Sequence, residues 1–260
     1  MKFRSGYIPF IITLFLTLHQ HTGAFGQSYR IKTIVIDAGH GGIKPGAIGK
    51  ISQEKNVALA VALKLGKRIE AELPNIKVIQ TRKTDVDVDW YRRAEIANDA
   101  KADLFISIHC NSMPKGNYTT RGTETFVGAY RRINEMDAGL RENEDIVNDK
   151  NYKNKTEAMV TSPEELIKIA MYKAQYRAKS LSLAKLVQKN YTNLNKRVNR
   201  GVKEQGLLVL QRAAMPSILT EIGFISTPDE EKYINSESGQ EEIVTAIFKA
   251  IQEYKKEVEN

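Results

Sequence analysis

Cysteine is almost absent from the 260-residue sequence, and histidine is scarce. The single cysteine, Cys110, excludes an intramolecular disulfide framework, so stability must come from an ordinary hydrophobic core. Two of the four histidines, His19 and His21, fall within the first 26 residues, which leaves His40 and His109 for the rest of the chain. These numbers are too small for a cysteine-rich zinc fold.

Runs of lysine or arginine are also absent, as are segments in which basic and aromatic residues interleave, and this argues against a nucleic-acid-binding protein. The formal net charge is nonetheless +8. That excess suits an anionic partner, although it is also common on solvated surfaces. With 42% hydrophobic and 27% charged residues, the composition is that of an ordinary globular protein long enough for one α/β domain.

The N-terminal segment has the outline of a secretory signal peptide. Lys2 and Arg4 precede the apolar residues 7–18, and Ala24-Phe25-Gly26 offers a cleavage site with small residues. The apolar stretch is too short for a stop-transfer helix, and a short uncleaved membrane anchor is the alternative interpretation. We expect residues 1–26 to be a signal peptide and residues 27–260 to be the exported domain.

Strand-like and helix-like segments alternate after the signal peptide. Apolar runs rich in β-branched residues predict strands at residues 32–37, 77–81, 103–109, 123–127, 207–211 and 217–220. Apolar residues at helical spacing predict helices at residues 53–73, 91–100, 180–194 and 243–254. This alternation indicates a single α/β domain whose sheet is covered by helices on both faces.

Residues 131–178 interrupt the alternation. Their first part is densely charged, and residues 148–156 are polar. An excursion of this length inside a compact domain is typical of a functional segment, so we expect an insertion with one or two helices of its own. The alternative is a solvated surface loop without a specific role.

Residues able to bind a metal or move protons follow several of the predicted strands. His40 lies in a glycine-rich turn after the first strand, His109 ends the third, and Glu221 follows the last. Glu54 opens the first long helix. Because ligands gather at the carboxyl ends of strands in open α/β sheets, both histidines and Glu221 are predicted to lie on one rim.

Two neutral imidazoles and one carboxylate form a common catalytic zinc site that leaves one position for water or substrate. Zinc in such a site lowers the pKa of its water towards about 7 and polarises a carbonyl group. A second carboxylate can then take the proton and return it to the leaving amine, and Glu221 is the candidate for that role.

Each of these residues also has an ordinary structural explanation. His40 is compatible with a structural turn, and Glu54 with the favourable field at a helix N-terminus. His109 could be a hydrogen-bonded histidine of the core, and Glu221 a helix cap or an ion-pair partner. The zinc interpretation is favoured because both histidines of the exported domain fall on the same rim.

Taken together, these segments resemble the zinc-dependent N-acetylmuramoyl-L-alanine amidases. The resemblance extends from Ile31 to about Tyr254 and differs from the usual pattern at Trp90 and Cys110, neither of which is a proposed ligand. It rests on ordered motifs at residues 36–42 and 45–47, 53–55, 81–85 with Arg93 and 97–98, 102–109, 122–126 and 216–224.

The resemblance implies a mixed, mostly parallel sheet of about six strands and one Zn²⁺ per chain. It implies that His40, Glu54 and His109 bind the zinc and that Glu221 is catalytic. The expected reaction is hydrolysis of the amide bond between N-acetylmuramic acid and L-alanine in peptidoglycan, for wall remodelling or daughter-cell separation. The expected location is the periplasm, and the expected state is a monomer.

Some amidases of this kind carry a helix that covers the zinc until an activator protein displaces it. By resemblance, the insertion is expected to inhibit the enzyme in the same way. Glu142 and Glu144 are the candidate residues that would occupy the open zinc position.

Three other functions are compatible with parts of the sequence. A wall-binding protein with a degenerate site would keep the fold without catalysis, and a zinc peptidase would cut within the stem peptide by the same chemistry. A non-enzymatic structural protein is the third alternative. Retention of all four candidate residues argues against the first and the third.

Overall fold

The computed structural model describes residues 29–129 and 163–260 of the chain. The described strands are β1 (Thr33–Ala38), β2 (Lys77–Gln80), β3 (Leu104–Asn111), β4 (Thr123–Gly128), β5 (Asn199–Gln205) and β6 (Ser217–Phe224). The described helices are α1 (Glu54–Glu72), α2 (Trp90–Asp99), α3 (Pro163–Asn195), α4 (Leu208–Gln211), α5 (Pro228–Asn235) and α6 (Glu237–Glu259).

All six strands form one sheet in the order β2-β1-β3-β6-β4-β5. The first four strands of this order are parallel. β4 runs antiparallel to β6, and β5 is parallel to β4. The sheet is therefore mixed and mostly parallel, as the sequence predicted.

Alternate residues of each strand pack into two separate cores. Ile34 and Ile106 belong to a large core that also contains residues of α1, α3 and α6. Val35 and Phe105, each one residue further along, belong to a smaller core with residues of α2 and α4. Helices thus cover both faces of the sheet, as expected for strands that are apolar on both sides.

Helix α1 shows how the sequence places an acidic residue at the rim. Val57, Val61 and Leu65 recur every four residues and are completely buried against the larger core. The same helix begins at Glu54, whose side chain is also buried, and ends before Pro74. Burial of the apolar stripe therefore fixes the position of Glu54 at the helix N-terminus.

Four elements differ from the sequence-based predictions. The apolar residues 207–211 were predicted as a strand but contain the short helix α4, and the strand of that region is the polar segment β5. The helix predicted at 180–194 begins already at Pro163, so α3 includes the last part of the predicted insertion. Helix α5 was not predicted.

The signal peptide predicted at residues 1–26 lies outside the described residues, as does the insertion as far as residue 162. Among the helices that the structure describes, none combines the length and the apolar character needed to cross a membrane.

Candidate metal centre

The carboxyl ends of three neighbouring parallel strands form the rim on which the candidate residues lie. β1 ends at Ala38, two residues before His40, whereas His109 and Glu221 lie near the ends of β3 and β6. His109 and Glu221 are register partners, and the pairing of β3 with β6 shifts immediately after them. The predicted convergence of both histidines and Glu221 on one rim agrees with this arrangement.

His40, Glu54 and His109 form a compact cluster. One potential ligand atom from each residue lies within 4.8 Å of the other two. His109 Nδ1 lies 2.9 Å from Glu54 Oε1, and His40 Nε2 lies 3.2 Å from Glu54 Oε2. Glu54 is 1% exposed and His109 is 6% exposed. Two imidazoles and a carboxylate that converge in a largely buried place match the donor set of a catalytic zinc site.

Two backbone amides fix the carboxylate of Glu54. Ala47 N donates to Oε2 over 2.8 Å, and Cys110 N donates to Oε1 over 3.0 Å. Burial raises the pKa of Glu54, but the charge of His40 and the hydrogen bonds from His109 and His40 lower it further, so that the net pKa lies below its ordinary value. Glu54 is therefore an ionised carboxylate, which is the form that binds a cation.

Glycine is required at two positions beside the cluster. A Cβ atom on Gly39 would lie 2.4 Å from the ring of His109, and one on Gly46 would lie 2.5 Å from Glu54 Oε2. Gly46 also has a φ of 67°, in the left-handed region that favours glycine. The loop after β1 thus packs against the other two members of the cluster without intervening side chains.

His40 itself has an unusual backbone conformation, with a φ of 54°. Two buried arginines hold the carbonyl groups around it. Arg93 donates to Ala38 O (2.6 Å) and to His40 O (2.7 Å), and Arg82 donates to Ala38 O (3.0 Å) and to Gly39 O (2.8 Å). The left-handed turn that carries His40 is therefore held by Arg82, from the loop between β2 and α2, and by Arg93, from α2.

Asp37, at the end of β1, balances the charge of Arg93. Its carboxylate is completely buried and accepts hydrogen bonds from Thr81 Oγ1 (2.6 Å), Ser107 Oγ (2.6 Å) and Arg93 Nη1 (2.8 Å). Burial raises the pKa of Asp37, whereas Arg93 and the two hydroxyl groups lower it, and the net direction is downward. The buried ion pair of Asp37 and Arg93 therefore lies directly beneath the turn that carries His40.

Glu221 lies beside the cluster without belonging to it. It is 1% exposed, and its register partners are His109 on β3 and Glu124 on β4. Because register partners project from the same face of a sheet, the three side chains form a row across three strands. Glu221 is not among the three residues whose potential ligand atoms converge.

Glu124, at the end of this row, forms ion pairs with two basic side chains. Its buried carboxylate lies 2.6 Å from Arg200 Nε and 3.1 Å from Lys203 Nζ. Both basic residues belong to β5, whose polar sequence does not predict a strand, so the sequence does not indicate that they reach Glu124. Arg82 and Arg93 were part of the family resemblance, but nothing in their local sequence indicated that they hold the turn of His40.

The candidate residues of the insertion, Glu142 and Glu144, lie outside the described residues. Their proposed role therefore stays a prediction. The assignment of His40, Glu54 and His109 as ligands and of Glu221 as the catalytic residue is likewise a prediction.

Comparison with known proteins identifies similar chains. A sequence profile of the N-acetylmuramoyl-L-alanine amidase family matches residues 34–253. The chain is 32% identical over 230 residues to N-acetylmuramoyl-L-alanine amidase AmiA of Escherichia coli (strain K12), a match that covers 86% of this chain and 76% of that protein. It is 30% identical over 244 residues to AmiC of another Escherichia coli strain, with 88% of this chain and 54% of that protein covered.

Solved structures of amidases have the same fold. An N-acetylmuramoyl-L-alanine amidase of Clostridium difficile 630 superposes with a TM-score of 0.64 at 28% identity, covering 87% of this chain and 97% of that one. The CwlD amidase of Clostridioides difficile, solved in complex with the GerS lipoprotein, has a TM-score of 0.61 at 28% identity, with 86% and 98% of the two chains covered.

Proposed function

The chain belongs to the N-acetylmuramoyl-L-alanine amidase family, and we propose that it hydrolyses the amide bond between N-acetylmuramic acid and L-alanine in peptidoglycan with the help of one zinc ion. The observation that carries the proposal is the convergence of His40, Glu54 and His109 within 4.8 Å on the rim of the sheet. This cluster lies within the residues that match the family.

His40, Glu54 and His109 would hold the zinc ion. The ionised state of Glu54 and the burial of the cluster suit a divalent cation, and the two imidazoles favour zinc over the oxygen-preferring magnesium or calcium. When bound, zinc supplies an activated water molecule and polarises the carbonyl group of the scissile amide.

Glu221 is the proposed proton carrier. It takes the proton that the attacking water loses and transfers it to the nitrogen of the leaving L-alanine. The carbon–nitrogen bond breaks, the oxygen of the water remains in the lactyl carboxylate of the muramic acid, and the stem peptide leaves with a free amine. The buried position of Glu221 beside His109 supports this role, because it places a carboxylate next to a proposed ligand without making it one.

Arg93 and Arg82 are proposed to act through His40 and do not contact the substrate in this account. They hold the left-handed turn whose carbonyl groups they bind. The cluster is then preorganised, so that binding the metal requires little rearrangement of the loop.

A zinc peptidase that cuts within the stem peptide would use the same metal chemistry. The two activities differ in their products, so digestion of purified peptidoglycan followed by mass spectrometry separates them. Intact stem peptides that begin with a free L-alanine amine are expected. Fragments cut between amino acids would assign the chain to the peptidases. No product from either the full chain or a chain without residues 133–160 would favour a wall-binding protein.

The insertion is proposed to inhibit the enzyme, with Glu142 or Glu144 directed to the metal. The length and the charge of residues 131–162 support this proposal. A deletion should end before Pro163, because α3 begins there and packs against β4 and α6. A chain without residues 133–160 is expected to cleave peptidoglycan faster than the full chain, and an equal rate would contradict the inhibition.

We also propose a protein that activates the enzyme by displacing the insertion. The N-terminal sequence supports export to the periplasm. Mass spectrometry of the protein from fractionated cells is expected to show a chain that begins near Gln27. A cytoplasmic chain that retains residues 1–26 would contradict the export.

A further inference from the structure

A groove of about 520 Å³ lies on the rim that carries the candidate metal centre. Its walls come from the loops that follow three neighbouring parallel strands. Ile48 and Lys50 follow β1, Lys115 and Tyr118 follow β3, and Ser226 follows β6. The groove is therefore at the edge of the sheet where ligands of α/β proteins bind.

Buried polar contacts give this groove a fixed shape. The carboxylate of Glu231, which is 2% exposed, accepts hydrogen bonds from the backbone amides of Lys50 (3.0 Å), Ile51 (2.8 Å) and Ser52 (2.9 Å). On the opposite side, Met113 N donates to Ser226 Oγ over 3.0 Å. Hydrogen bonds within the protein thus hold the walls in place, and the carboxylate of Glu231 on α5 is directed to the backbone of the loop after β1.

The residues that line the groove closely follow residues of the metal cluster or their partners in the sequence. Ala47, whose amide binds the carboxylate of Glu54, directly precedes Ile48. On the second wall, Asn111 is two residues after His109, and its carbonyl accepts the amide of Ile225 (2.8 Å). Two of the loops that line the groove therefore begin at residues that contact or closely follow the cluster.

The exposed side chains of the groove favour an anionic peptide. Lys50 and Lys115 supply two positive charges, and Ile48 (65% exposed) and Tyr118 (54% exposed) supply apolar surface. The negative charge of Glu231 is compensated by the hydrogen bonds that it accepts from three backbone amides. Of the two sides of the scissile bond, the peptide side carries carboxylates and aliphatic groups, whereas the glycan side offers mainly hydroxyl and acetamido groups.

We propose that this groove binds the stem peptide of the substrate and that Lys50 and Lys115 pair with its carboxylates. The proposal rests on the proposed amidase function and adds the part of the substrate that is recognised. It makes these lysines determinants of specificity that bind substrate without taking part in the chemistry.

The test compares two soluble substrates, a MurNAc-tetrapeptide with free carboxylates and the same compound with its carboxylates converted to amides. The variants are Lys50→Met, Lys115→Met and the double variant of the full chain loaded with zinc. Each single substitution is expected to raise KM for the acidic substrate about 3- to 5-fold and the double substitution about 10-fold, with kcat nearly unchanged. KM for the amidated substrate is expected to be the same in the variants as in the wild type.

Lys67→Met is the matched control, because Lys67 is an exposed lysine thirteen residues after Glu54 on α1, about 20 Å along the helix. Equal losses on both substrates would show that the lysines only support the loops, and no loss would show that the peptide lies elsewhere. Either result overturns the proposal while the wild-type chain still releases stem peptide.

A binding measurement separates this proposal from the amidase function. Calorimetric titration with the free tetrapeptide is expected to give a dissociation constant about 10-fold larger for the double variant than for the wild type. If neither the full wild-type chain nor the chain without residues 133–160 cleaves either substrate, the amidase function fails. The titration still decides whether the lysines bind the peptide.

Discussion

Glu221 on β6 and His109 on β3 are register partners at the carboxyl edge of the sheet. His109 lies 2.9 Å from Glu54, so the pairing places Glu221 beside the cluster of His40, Glu54 and His109, of which it is not a member. One strand pair therefore supplies both a proposed ligand and the proposed proton carrier.

Replacement of Glu221 by glutamine is expected to lower kcat about 10²- to 10⁴-fold, because the amide cannot accept and return a proton. Zinc content, measured by elemental analysis, should stay the same as in the wild type. Glu70→Gln is a control at an exposed glutamate of α1. Loss of zinc together with activity would instead make Glu221 a ligand.

Zinc is expected to stabilise the folded chain only when the cluster is intact. At a free zinc concentration about 100-fold above its dissociation constant, the free energy of unfolding should rise by about 2.7 kcal/mol. Thermal unfolding with zinc and with a chelator measures this difference. Glu54→Gln is expected to remove most of it, and an undiminished zinc effect in that variant would rule out Glu54 as a ligand.

Replacement of Arg93 by methionine is expected to lower the free energy of unfolding by about 3–5 kcal/mol, because it leaves the buried charge of Asp37 without its partner. Urea unfolding measures the change. The neighbouring Arg92 is a matched control, since its side chain is 51% exposed and pairs with the surface carboxylates of Glu95 and Asp99. Arg92→Met should change stability by less than about 0.5 kcal/mol.

The double variant Arg93→Met, Asp37→Asn separates the ion pair from other effects of Arg93. Removal of both charges is expected to cost less than the sum of the two single substitutions. Additive losses would indicate that Arg93 stabilises the fold through its backbone contacts alone.

Acid is expected to weaken the fold through Asp37. Its pKa is lower in the folded chain than the value of 3.8 for an unperturbed carboxyl group, so the unfolded state binds more protons between these two values. The contribution is complete above about pH 3.8 and is lost as the pH falls towards the folded pKa. Unfolding measured against pH in a chelator should show a shallower acid loss for Asp37→Asn, and an unchanged profile would contradict this.

Much of the fold could be predicted because its buried strands and helices have strong periodic patterns. The apolar runs of β1 and β3 are buried on both sides of the sheet, and α1 has an apolar residue at every fourth position. The segment 207–211 was assigned wrongly, because a short buried apolar run does not distinguish a strand from a turn of helix. β5 was missed because Asn199–Gln205 is polar and forms the edge of the sheet.

The grouping of His40 with His109 could be predicted for a similar reason, because parallel strands bring their carboxyl ends to one edge. The support around the cluster could not, because it depends on contacts between residues far apart in the chain. Arg93 binds the carbonyl group of His40 from α2, and Glu231 holds the loop at Lys50 from α5. No local pattern distinguishes these residues from ordinary surface charges.

The most direct test of the central claim is hydrolysis of a MurNAc-tetrapeptide in H₂¹⁸O by the zinc-loaded chain, with the products analysed by mass spectrometry. We predict that one ¹⁸O enters the lactyl carboxylate of the N-acetylmuramic acid and that the tetrapeptide is released unlabelled with a free L-alanine amine. Label in a carboxylate of the peptide, with the muramic acid still bound to L-alanine, would contradict the amidase function and assign the chain to the peptidases.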